Sequence, residues 1–146
     1  MNINLVPILM ADDDPDDRAL TLDAFRENNL ANSLYFVEDG ESLMDYLYQR
    51  GKFHEANAPR PGLILLDLNM PKLDGREALK RIKSDQQFKR IPVVILTTSK
   101  AEEDILKSYD LGVNSFICKP VTFTELVKVT RELGNYWFGL VALPKS

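Results

Sequence analysis

The chain has 146 residues, enough for one domain with a sizeable core and little room for a second. Hydrophobic residues at 45% and charged residues at 27% describe an ordinary globular protein, and a net charge of −4 argues against a nucleic-acid partner. No apolar run approaches the ~20 residues of a membrane span. The opening NLVPILM has no positive n-region, so the expectation is a cytoplasmic protein without a membrane partner.

The first apolar run, LVPILM (5–10), predicts a strand. It leads straight into ADDDPDDR (11–18), five aspartates broken by one proline. Part of that run has a local explanation. Asp14 reads as an N-cap, Pro15 as the first helical residue and Asp17 as an acid near the positive end of a helix whose apolar face carries Leu22 and Phe25. Asp12 and Asp13 are left over, and adjacent carboxylates at a strand end either face water or hold a cation.

SLYFV (33–37) predicts the second strand, and Asp39-Gly40 leads into a second helix marked by Leu43, Tyr46 and Leu47. The segment QRGKFHEANAPRPG (49–62) is a polar connection rich in breakers, with no clear element of its own. Its His54 reads as an ordinary surface imidazole. LILLD (63–67) predicts the third and most apolar strand, followed by a helix marked by Leu79 and Ile82. VVILTT (93–98) predicts the fourth strand. Ile105, Leu106 and Tyr109 mark a fourth helix, which Leu111-Gly112 ends with a glycine cap. SFIC (115–118) predicts the fifth strand, and TFTE (122–125) is a capping box for a fifth helix carrying Leu126, Val129 and Leu133. The single cysteine, Cys118, excludes an internal disulfide, fits a reducing compartment and reads, among apolar neighbours, as a buried structural thiol.

Strands that are apolar throughout belong in a parallel sheet covered on both faces. Five β-α units in succession therefore predict an α/β fold, a doubly wound five-stranded parallel sheet with five helices on both faces. In such open sheets the active crevice lies outside the carboxyl ends of the strands, at the topological switch point. That rule gathers Asp12 and Asp13 after strand one, Asp67 at the end of strand three, Thr97 and Thr98 at strand four and Lys119 after strand five. Three carboxylates in contact repel unless a cation sits among them. Hard oxygen ligands in an incomplete protein cage suit Mg²⁺, which keeps waters and shares a phosphate with the protein. Lys119 offers a point charge and Thr97 a hydroxyl to phosphoryl oxygens. Asp67, at the tip of the most apolar strand, is the candidate nucleophile, since aspartate can form an acyl phosphate.

Four motifs in this order and spacing, ADDDP, LILLDLNMPKLDG, VVILTTS and FICKP, resemble the receiver domain of two-component response regulators, a flavodoxin-like fold. The resemblance covers about Leu5 to Leu133. It implies that Asp67 is phosphorylated by a phosphohistidine on a sensor histidine kinase. It implies that Asp13, Asp67 and the backbone carbonyl of Asn69 ligate Mg²⁺, with Asp12 acting through water. It also implies that Thr97 and Lys119 bind phosphoryl oxygens, that Pro120 follows a cis peptide bond, and that Phe116 is the aromatic switch residue moving with Thr97. Thr98 replaces a frequent alanine, and Phe116 lacks the hydroxyl of the commoner tyrosine.

Two rival functions are weighed against this. A haloacid-dehalogenase-like phosphohydrolase needs a second aspartate two residues after the nucleophile, where Asn69 stands and cannot transfer a proton. An interaction module that never sees phosphate would leave the gathered site unexplained. Residues 1–134 are expected to form the receiver and 135–146 an apolar extension of its last helix, with no effector domain. Leu126, Val129, Leu133, Trp137 and Leu140 continue one helical stripe, across Gly134 and Gly139. Tyr136, Trp137, Phe138 and Leu140 are expected either to pack back on the domain or to form a homodimer interface. EEDILKSYDLGVNSFICKPV followed by YWFGLVALP resembles the small response regulators paired with bacterial phytochrome histidine kinases, which implies such a kinase as partner.

Overall fold

The computed structural model describes residues 7–27, 32–70, 72–97, 115–119, 121–122, 124–125 and 128. Within them the elements are β1 (Ile8–Ala11), α1 (Pro15–Glu27), β2 (Leu34–Val37), α2 (Gly40–Tyr48), β3 (Leu63–Asp67), α3 (Gly75–Ser84), β4 (Val93–Thr97) and β5 (Ser115–Cys118). All neighbouring strands pair in parallel, in the order β2-β1-β3-β4-β5. The chain steps outward from β1 to β2, then back across β1 to β3 and onward. The switch point therefore lies between β1 and β3, where the strand order reverses.

The expected fourth helix lies outside the described residues, as do Pro120 and the extension 135–146. Of the fifth helix, Thr124, Glu125 and Lys128 are described and helical. Thr122 Oγ1 accepts the Glu125 backbone N–H at 3.2 Å, one half of the expected capping box.

Burial follows strand order. The inner strands β1 and β3 are buried at every residue, whereas three of the four residues of edge strand β2 are half-buried. Because side chains alternate across a strand, Leu9, Ile64, Leu66 and Ile95 pack against Leu43, Leu47, Leu79 and Ile82 of α2 and α3. Ile8, Met10, Leu63, Leu65, Val94 and Leu96 face the other way, toward Phe25 of α1 and Val121. Cys118 corrects the sequence reading: it is exposed, not buried. It is the last residue of the other edge strand, β5, which among the described residues pairs only with β4. Apolar neighbours in sequence do not reveal that position.

The connection 49–62 forms neither helix nor strand, as expected, and His54 is exposed. Side chains pin it to α2 all the same. Tyr46 donates its hydroxyl to Pro59 O at 2.9 Å, and Gln49 Nε2 donates to Ala58 O at 3.0 Å.

Candidate functional site

The site is built where β1 and β3 end. The Asp12 N–H still bonds Val37 O at 3.0 Å, so Asp12 continues the sheet and its side chain is fully buried. Its Oδ1 accepts the Asp14 N–H at 2.9 Å, which turns the chain. Asp14 Oδ1 then accepts the Asp16 N–H at 2.9 Å, and Pro15 opens α1, as the N-cap reading predicted. Arg18 Nη1 ties the turn down by donating to Asp12 O at 2.7 Å. Asp13 is left exposed at the rim.

After β3, the Asn69 N–H donates to Asp67 Oδ1 at 3.0 Å. Asp74 caps α3 by accepting the Arg76 N–H at 2.7 Å, and the Gly75 N–H returns to Leu68 O at 3.1 Å. The start of α3 thus lies directly against the backbone of the candidate nucleophile. A Cβ at position 75 would sit 2.6 Å from Asp67 O and 2.5 Å from Leu68 Cα. Only glycine permits that approach.

Lys119, one residue past β5, joins the two halves. Its Nζ lies 2.8 Å from Asp17 Oδ2, 2.9 Å from Asp12 Oδ2 and 3.0 Å from Asp67 Oδ2. Burial alone would lower the pKa of this ammonium, but the three carboxylates outweigh it and the net shift is upward. Burial pushes the Asp12 carboxyl the other way, up to about 6, against the opposing pull of the Asp14 N–H and Lys119. Asp12 Oδ2 is buried and accepts no well-directed hydrogen bond; its contact with Lys119 is electrostatic.

Ligand oxygens of Asp12, Asp13 and Asp67 come within 4.8 Å of one another. With Asp17 counted, the site holds four carboxylates, three of them in contact with the one ammonium, and a buried oxygen still lacks a directed partner. That donor set fits a hard divalent cation.

Of the other expected site residues, Thr97 ends β4, paired through its backbone with Cys118, in the strand adjoining Asp67. Its side chain lies outside the described residues. Phe116 is half-buried and packs against the core on the α2 and α3 side. Thr98, Pro120, Tyr136, Trp137, Phe138 and Leu140 fall outside the described residues. Asp17 is the site residue that sequence reading missed. It stands in the first turn of α1, where Cα–Cβ bonds tilt toward the helix N-terminus and so toward the strand ends. That geometry was the available signal.

A parallel 2-1-3-4-5 sheet with carboxylates and a lysine gathered at its switch point defines a doubly wound α/β protein that does its work at the strands' carboxyl edge. Residues 8–131 match the response regulator receiver domain, and the chain belongs to that family of two-component signalling proteins. It is 41% identical over 139 residues to response regulator Rcp1 of Synechocystis sp., covering 95% of this chain and 93% of Rcp1. The solved structure of the bacteriophytochrome response regulator AtBRR matches with a TM-score of 0.86 and 41% identity, over 98% of this chain and 99% of that one. The Mn²⁺-bound form of Rcp1 matches with a TM-score of 0.70 and 40% identity, over 96% and 99% of the two chains.

Proposed function

We propose that Asp67 accepts one phosphoryl group from a phosphohistidine of a sensor histidine kinase, in a Mg²⁺-dependent reaction. The observation that carries this reading is the convergence of Asp67, Lys119, Asp12 and Asp13 at the switch point. One carboxylate oxygen of Asp67 forms the P–O bond as the P–N bond to the donor imidazole breaks. Lys119 is already at Asp67 Oδ2, where its charge can pass to a phosphoryl oxygen once the carboxylate becomes an acyl group. Asp12, Asp13, Asp67 and the Asn69 carbonyl would hold the Mg²⁺, which neutralises charge on the incoming group. Burial of Asp12 and Asp67 keeps these charges in a low-dielectric setting where they act strongly.

Thr97 and Phe116 form the switch in this reading. Phosphorylation draws Thr97 toward the phosphoryl group, and Phe116 fills the space it leaves. Phe116→Ala should then be phosphorylated normally while its partner binding ceases to respond. The names of the bacteriophytochrome response regulators AtBRR and RtBRR support a phytochrome-type kinase as donor, and in this reading the signal passes to protein partners in the cytoplasm. We place the receiver at 1–134, and the apolar tail at 135–146 serves a homodimer, with Tyr136, Trp137, Phe138 and Leu140 as its contacts. Sedimentation of the wild type and Trp137→Ala checks that; a strictly monomeric wild type at high micromolar concentration would remove it.

The central test is mass spectrometry after incubation with acetyl phosphate and Mg²⁺. The wild type is expected to gain one phosphoryl mass, and Asp67→Asn none. Labelling of the variant at the wild-type rate would show that another residue is the acceptor, and no labelling of either would favour a phosphate-independent interaction module.

A further inference from the structure

We infer that Asp17 is a positioning residue of this site: it retains Lys119 when a divalent cation claims the carboxylates that the lysine otherwise shares. The inference rests on the phosphoacceptor reading above and adds to it a residue that acts through Lys119 alone.

The contacts divide unevenly. Lys119 Nζ makes directed hydrogen bonds to Asp17 Oδ2 at 2.8 Å and to Asp67 Oδ2 at 3.0 Å, and an ion pair with Asp12 Oδ2 at 2.9 Å. An ammonium has three protons; two of them are directed at Asp17 and Asp67, and Asp12 is met through charge alone. Asp12 and Asp67 belong, with Asp13, to the group whose oxygens converge on one point; Asp17 does not. A divalent cation at that point and the Lys119 ammonium therefore compete for the same two carboxylates. Whatever the cation takes, Lys119 loses.

Lys119 is only 11% exposed, so losing both partners without a replacement would strand a buried cation, a costly state. Asp17 removes that cost. It is 18% exposed and projects from a helical turn that Thr21 braces, its Oγ1 donating to Asp17 O at 2.9 Å. A carboxylate on a rigid helix holds the ammonium beside Asp67 while leaving its other donors free for phosphoryl oxygens. Without Asp17, Lys119 stays on Asp12 and Asp67, and the cation must displace it at full cost.

A double-mutant cycle read by Mn²⁺ binding alone tests this, counting free Mn²⁺ by electron paramagnetic resonance. Asp17→Asn is expected to weaken Mn²⁺ binding about five-fold or more, and in a Lys119→Met background to change it by less than about two-fold. Asp17→Ser provides a second variant for the same cycle, with melting temperatures recorded for all. If Asp17 acted only through its own charge on the ion, both backgrounds would show the same factor. Equal factors, or no effect of Asp17→Asn in the wild type, would overturn this role while leaving Asp67 as phosphoacceptor. A wild type that binds no Mn²⁺ would overturn both, and one that binds it yet is never phosphorylated would overturn the acceptor reading.

Discussion

Two groups of ion pairs in this molecule use the same residue types under different conditions. On the outer side of α2 and α3, Arg50 pairs with Asp45 at 2.6 Å and Arg81 with Glu77 at 3.5 Å. These side chains are 40 to 57% exposed, so water screens each pair and each ion has a solvent alternative. At the strand ends, Lys119 meets three carboxylates at similar distances, but none of the four side chains exceeds 18% exposure. There, removing the ammonium would leave three carboxylates uncompensated in a poor solvent. Burial decides which cluster can do chemistry; distance does not distinguish them. The exposed pairs match acid to base one for one, whereas the buried cluster has an excess of acid. That excess is what suits it to a cation.

The sharpest way to break the comparison is to displace the buried cluster without touching its charges. Gly75→Val is expected to do so, because a Cβ there collides with the backbone of Asp67 and Leu68. Overpacking against main chain should cost about 3 kcal/mol, seen as a fall in melting temperature. It should weaken Mn²⁺ binding as well, since Asp67 must shift. A variant with wild-type melting and wild-type metal affinity would mean that α3 can retreat freely and does not position Asp67.

A smaller effect, of opposite sign, should follow from removing one buried charge. The Asp12 carboxyl rises from 3.8 to about 6 in the fold, chiefly through burial. Between those values the folded protein binds more protons than the unfolded chain, so this group makes the metal-free protein less stable as pH rises from about 4 to 6. Above that window the loss is complete. Asp12→Asn should therefore stabilise the metal-free protein at pH 7.5 by about 1–2 kcal/mol while weakening Mn²⁺ binding. For the same reason wild-type metal affinity should fall as pH drops through about 6, because a ligand carboxylate must be deprotonated. Destabilisation of the variant at pH 7.5 would show that the Asp12–Lys119 pair outweighs the burial of Asp12.

The fold was legible because its signals are local. Runs such as LILLD and VVILTT have no polar alternation and could only be buried parallel strands, and all five expected strands are present. The main site was legible too, since one topological rule gathers the residues that follow strands. Asp12, Asp67 and Lys119 do meet. What escaped the reading depended on facts that no local stretch contains. Cys118 lies at the end of an edge strand, and strand order alone makes it one. Asp17 had already been explained as an acid favouring a helix start. That explanation is sound, and it concealed the second use of the same carboxylate. The residue is 102 positions from Lys119 in sequence, a separation that composition and periodicity cannot bridge.

The smallest expected effect completes the contrast, on the exposed side. Arg50 bonds Asp45 and also lies over the Tyr48 ring, 5.0 Å from its centroid, while the Tyr48 hydroxyl donates to Asp85. Tyr48 in turn packs edge-on against Phe88, with ring centroids 5.0 Å apart. Seen as a diagram this is as connected as the Lys119 cluster. Its members nevertheless keep access to water: Arg50 and Asp45 are 57% and 40% exposed, so deleting one strands nothing. Arg50→Ala is therefore expected to cost less than about 1 kcal/mol, the sum of a screened ion pair and an exposed cation–π contact. Part of the ion-pair share should be lost between about 0.05 and 0.5 M salt, as the screening length falls toward the few ångströms that separate the charges. Urea denaturation at both salt concentrations measures it. A loss above about 2 kcal/mol that persisted in high salt would mean that this surface network is cooperative. Exposure would then not be what separates the two clusters, and the excess of acid around Lys119 would have to carry the distinction alone.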